Sequence, residues 1–137
     1  ADGKTKGEYS AVFYDKAKYE LQKDSTFWLS PTPEKPSKGW DAALNRICTY
    51  AILKDKKSAD IFLIMNTHFD HQGKQAQINS AKLIVKKMKE INKKDYPVIM
   101  CGDFNVLPLS ESVKIITKAF KDGKRVSEKE FYGPQGT

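Results

Sequence analysis

A chain of 137 residues with 39% hydrophobic and 30% charged side chains has room for one domain with a sizeable core. No apolar run is long enough to cross a bilayer, so no transmembrane segment is expected, and two cysteines without a CxxC pattern give neither a disulfide framework nor a zinc site. The formal net charge of +7 suits acidic partners such as nucleic acid or anionic lipid headgroups, although every one of the 24 basic residues except Arg46 and Arg125 is lysine, which points first to solvated faces.

The first patterned stretch is EYSAVFYDKAKYEL. Apolar residues alternate at Tyr9, Ala11 and Phe13, a polar turn follows, and Tyr19 and Leu21 resume, which predicts a β-hairpin. TFWLS predicts another short strand, closed by Pro31 and Pro33. Residues 31–46, with three prolines and a Gly-Trp, predict an ordered loop. RICTYAILKD is strand-like and DKKS is the turn after it. DIFLIMNTH is a continuous apolar run too short for a helix, as expected of a strand covered on both faces.

From Gln75 to about Asn92 the period changes. Ile78, Ala81, Ile84, Val85, Met88 and Ile91 form an apolar stripe, and Lys82, Lys86, Lys89 and Lys93 form a face expected to be solvated. PVIMCGDFN predicts a second short buried strand, with Cys101, like Cys48, in a packing role. SESVKIITKAFKDG predicts a helix with a serine cap and a stop at Gly123. The tail RVSEKEFYGPQGT carries turn chemistry.

Strand, helix, strand is a crossover unit whose two strands should be parallel and end at one sheet edge. His68, Asp70 and His71 follow the first strand; Asp103 and Asn105 follow the second. Ligands of open α/β sheets bind outside the carboxyl ends of the strands, which makes this edge the candidate site. Gly102 permits a tight turn after the strand. Asp103 and Asn105 offer one charged and one neutral oxygen, suited to a hard cation or to a carboxylate activating water beside an amide that holds a phosphate oxygen. The same pair suits an Asx turn in which both side chains only bond the backbone. His68 fits a general acid or a donor to a phosphate oxygen. Arg46, at the mouth of a strand, fits either a phosphate clamp or a junction ion pair. Trp28 and Trp40 fit packing better than base stacking.

Taken together, FWLSPTPEKPSKGWDAALNRICTYAIL, IFLIMNTHFDHQGKQAQINSAKLI and PVIMCGDFNVLPLSES resemble the endonuclease/exonuclease/phosphatase superfamily of metal-dependent phosphoesterases, in particular its bacterial members of unassigned substrate. The resemblance implies a two-sheet α/β sandwich with catalytic groups at one edge. It implies that His68 contacts the scissile phosphate and helps the leaving oxygen depart, and that Asp103 orients and activates the attacking water. Asn105 would hold a phosphate oxygen or a water near the metal, and Arg46 would lie near the phosphate. The implied cofactor is Mg²⁺ or Mn²⁺, with Asp103 and Asn105 as indirect or second-metal ligands. Asp70 and His71 fall behind these groups or at the substrate rim. The family's amino-terminal Asn and metal-binding Glu, and its carboxy-terminal Asp and Asp-His pair, are not found; Glu8 lacks the expected strand context. The chain therefore reads as a single partial domain, residues 1–137, truncated at both ends and inactive alone. No leader is visible at Ala1, and the compartment is left open, with a lean toward an exported or periplasmic protein. Nucleic acid, phosphoinositide and sphingomyelin headgroups all remain open as substrates.

Two alternatives compete. HFDHQG also resembles part of the zinc motif of metallo-β-lactamases, but the register puts Asn66 where the first histidine belongs, and no histidine follows His71. A non-catalytic module that binds phosphate or nucleic acid on the same fold is the other.

Overall fold

The computed structural model describes residues 1–127; most of the tail read as turn chemistry lies outside them. Four strands form one mixed sheet: β1 (Tyr19–Trp28), β2 (Ile47–Asp55), β3 (Ile61–His68) and β4 (Val98–Asp103), in that spatial order. β1, β2 and β3 are antiparallel neighbours, while β3 and β4 run parallel. The long crossover between them is helix α1 (Lys74–Ile91); α2 (Glu111–Thr117) and the single-turn α3 (Gly123–Val126) follow.

One face of the sheet is closed. Cys48, Tyr50 and Ile52 of β2 stand opposite Thr67, Met65 and Leu63 of β3, and α1 covers this face with Ala81 and Ile84. Phe27 and Phe69 complete the buried cluster. Each large side chain buried this way contributes roughly 1.5–3 kcal/mol. Burial also pushes the Cys48 thiol well above its ordinary range, which leaves it an inert packing group.

Several expectations change. Residues 9–14 form no strand, and Tyr9 and Phe13 are exposed. Alternation alone does not make a strand without a partner edge; Ala11 is tied to the sheet through its carbonyl, which accepts from Asn66 Nδ2 at 2.8 Å. Tyr19, Leu21 and TFW belong to one ten-residue strand, whose register slips between Leu21 and Lys23 and so breaks the sequence alternation. β3 is buried only at Leu63, Met65 and Thr67, because the described residues cover one face fully and the other only in part. Among the described residues β4 is an edge strand: Ile99 and Cys101 are exposed rather than buried. Ser110 does cap α2, accepting from Val113 N. That helix ends at Thr117, and Gly123 opens α3 behind an Asp122 cap instead of stopping α2.

The loop before β2 and the start of α1 are joined by carboxylates. Gly73 caps α1 without a side chain, and Asp41 supplies what is missing by accepting from Gln75 N and Ala76 N. Lys82, Lys86, Lys89 and Lys93 are exposed. Among the described residues, no helix is long and apolar enough to cross a membrane.

Candidate active site

The parallel register puts His68 level with Asp103 at the carboxyl edge of the sheet. Gly102 makes this possible from inside β4 rather than as a turn after it. Its φ is +138°, and a Cβ there would sit 1.9 Å from the Thr67 carbonyl oxygen, so only glycine lets β4 lie this close to β3.

Past the strand end, Asp103 Oδ1 accepts the Asn105 N–H at 2.9 Å, an Asx turn. Asn105 itself is left-handed, with φ 47°, and this turns its amide back over the strand ends. Its Nδ2 donates to the Phe69 carbonyl at 3.0 Å and meets His68 Nε2 at 2.9 Å. The turn and the site are thus one structure. Asp103 Oδ2 remains half-exposed, 3.6 Å from His68 Nε2.

The far side of the His68 ring meets Glu8, whose Oε2 is 3.4 Å from Nδ1. The imidazole therefore lies between two carboxylates. Glu8 is a residue that sequence reasoning set aside, and indeed it lies in no strand. Arg46, 38 residues away, holds it through a direct Nη1 to Oε2 bond.

Arg46 is 5% exposed, and its other nitrogens are also engaged: Nη2 lies 3.2 Å from His71 Nδ1, and Nε lies 3.6 Å from Asp70 Oδ2 without a hydrogen bond. Asp70 sits behind the edge, 1% exposed. Its carboxylate accepts backbone N–H groups from Ala43, Leu44, Gln72 and Gly73, joining the loop before β2 to the start of α1. Burial alone would raise its affinity for a proton, but these N–H groups outweigh it and hold the carboxyl well below the usual carboxylate range. His71 is exposed at the rim.

Gln77 is a second residue that the sequence did not single out. From the first turn of α1 its Nε2 donates to the carbonyls of Asp70, at 2.8 Å, and Asn105, at 3.1 Å, bridging the loops that follow β3 and β4. A polar residue at the start of an otherwise apolar helix face was the available signal. As to a metal, no three His, Cys, Asp or Glu side chains converge on a cation position among the described residues. Asp103 and Asn105 do not make such a site by themselves.

An endonuclease/exonuclease/phosphatase family protein from Bacteroides thetaiotaomicron is 47% identical, with a TM-score of 0.83 over 85% of this chain and 43% of its own. The chain belongs to the endonuclease/exonuclease/phosphatase family. A mannosyl-6-phosphatase from the same organism matches equally well, at 47% identity and TM-score 0.83 over 85% of this chain and 44% of that one. A family protein from Bacteroides vulgatus follows at 47% identity and TM-score 0.81, over 85% and 45% of the two chains. The chain thus spans less than half the length of these relatives. No protein-family model and no curated protein matches the sequence. The mixed sheet with its helices is a portion of the endonuclease/exonuclease/phosphatase fold.

Proposed function

We propose that the protein hydrolyses phosphate esters at the carboxyl edge of β3 and β4, with water attacking phosphorus in line with the leaving oxygen. The observation that carries this is the convergence of His68, Asp103 and Asn105 from two parallel strand ends, in a family whose 47%-identical members include a phosphatase. Asp103 Oδ2, half-exposed and free of the Asx bond, orients the water and draws on its proton. His68 acts at the phosphate. The water's proton, drawn off by Asp103, passes to Nε2, sets the imidazolium between Glu8 and Asp103 and frees the Asn105 N–H to turn to a phosphoryl oxygen. The proton then goes to the leaving oxygen as the P–O bond breaks.

The charge of the site calls for a divalent cation, Mg²⁺ or Mn²⁺. Glu8, Asp70 and Asp103 oppose the single guanidinium of Arg46, so these groups alone would repel a phosphate. Asp103 and Asn105 are the oxygen donors this chain would lend the ion, and its other ligands would have to come from outside the described residues. Bound there, it would offset the negative charge of the phosphate. The less covered face of the sheet, where Phe62, Ile64 and Asn66 are half-buried, suits a second sheet, and with it a two-sheet sandwich.

A sugar phosphomonoester is the first substrate to test, because a mannosyl-6-phosphatase is among the similar structures. The full-length protein, with Mg²⁺ or Mn²⁺, is assayed on mannose 6-phosphate, a generic phosphodiester, DNA and phospholipid. Hydrolysis of at least one, falling about a thousandfold in Asp103→Asn and lost on chelation, is the expected result. Binding to these ligands without turnover would point to the non-catalytic module instead.

A further inference from the structure

The two histidines have only one consistent set of proton positions, and it differs between them. Asn105 must point its NH₂ at the Phe69 carbonyl, since an oxygen there would face another oxygen. The same NH₂ meets His68 Nε2 at 2.9 Å, so Nε2 is the accepting lone pair and the ring proton is on Nδ1, toward Glu8. At His71 the partner is Arg46, which can only donate. His71 Nδ1, 3.2 Å from Nη2, is therefore the lone pair, and its proton is on Nε2. His71 is exposed as a residue.

Arg46, in contrast, is badly placed to meet a substrate. Its guanidinium is almost wholly enclosed, and Glu8, His71 and Asp70 already face its nitrogens. A phosphate could reach it only by displacing one of them. Loop and strand contacts hold it there: Leu29 N donates to the Arg46 carbonyl at 2.7 Å, and Thr67 Oγ1 donates to the next carbonyl, Ile47, at 2.9 Å.

We propose that the histidines are held in opposite tautomers, that His71 gives its Nε2–H to a phosphoryl oxygen of the substrate, and that Arg46 is a positioning residue that sets this donor rather than a phosphate clamp. This rests on the phosphoesterase function proposed above. His68 then presents a lone pair and His71 a hydrogen, one suited to taking a proton and the other to binding oxygen. A neutral donor recognises the phosphoryl group without adding another fixed charge to the network.

The test uses the full-length protein with Mg²⁺ and inorganic phosphate as the probe. Long-range ¹H–¹⁵N spectra should show His68 with a pyridine-type Nε2 and His71 with a pyridine-type Nδ1, and phosphate should move the His71 Nε2–H resonance. Calorimetry should show phosphate affinity falling about tenfold or more in His71→Phe, with most of it restored in His71→Gln, which places an N–H near the original Nε2. Arg46→Lys should cost less in the His71→Phe background than in the wild type, because part of its effect runs through His71. Equal phosphate binding by wild type and His71→Phe, additive losses in the double variant, or a protonated Nδ1 on His71 would each overturn the proposal. Failure of the wild type both to bind phosphate and to hydrolyse any ester would instead overturn the function on which it rests, and the proposal with it.

Discussion

Asn105 points its side-chain amide at His68 Nε2 across 2.9 Å, from a backbone held in the left-handed region at φ 47°. The turn and the amide are separable by substitution. Asn105→Gly keeps the backbone conformation at little strain and removes the donor. Its stability should fall only by about 1 kcal/mol, through the lost bond to the Phe69 carbonyl, while kcat for phosphoester hydrolysis falls about a hundredfold or more. Unchanged turnover in a well-folded Asn105→Gly would remove the amide from the chemistry.

Asp70 makes acid sensitivity a local property. Its folded carboxyl is held below the range it takes when unfolded, so its contribution to stability is complete above about pH 4 and is lost as pH falls from there toward the folded value. Asp70→Asn should unfold at lower urea concentration at pH 7, by roughly 3–5 kcal/mol, since it turns an acceptor of several N–H groups into a partial donor beside Arg46. Urea midpoints of the two proteins should stay apart from pH 7 to about pH 4 and narrow steadily as pH falls further, toward pH 2. A constant difference across that range would show that the charge is not what holds the loop.

Gly102→Ala should fail more severely than any surface change. The added methyl meets the Thr67 carbonyl oxygen at 1.9 Å, at a φ of +138° that alanine resists. The β3–β4 pairing must open, at a cost of about 4 kcal/mol or more. Native-state hydrogen exchange reads this directly, through lost protection of amides in Val98–Asp103. Retained protection would mean that the strands tolerate the methyl.

Gln77→Leu tests the bridge between the loops. It leaves the Asp70 and Asn105 carbonyls without their shared donor. Stability should fall by about 1–2 kcal/mol and kcat several-fold, with the change in kcat arising from misplaced Asn105. Steady-state kinetics beside urea unfolding separates the two effects, and an unaltered kcat would confine Gln77 to a structural role.

The legible parts of this molecule were those set by local period and by topology. The apolar run of β3, the stripe of α1 and the strand before Gly102 predict a parallel pair, and that pair brings His68 beside Asp103. What escaped depends on partners remote in sequence. Tyr9, Ala11 and Phe13 alternate like a strand but find no ladder among the described residues, and β4 is apolar yet lies at an edge. Glu8 is tied to the site by Arg46, 38 residues away, and by His68. Of the four N–H groups that meet Asp70, those of Gln72 and Gly73 are local to THFDHQG, but those of Ala43 and Leu44 come from another segment, which no spacing within it encodes.

Isotope transfer tests the central claim most directly. The full-length protein is allowed to hydrolyse a phosphomonoester such as mannose 6-phosphate in H₂¹⁸O with Mg²⁺, and the products are weighed by mass spectrometry after a single turnover. Water attack on phosphorus at His68, Asp103 and Asn105 places one ¹⁸O in the released phosphate and none in the alcohol, and Asp103→Asn suppresses the labelled product. Label in the alcohol, or labelled phosphate formed at an undiminished rate by Asp103→Asn, would contradict it.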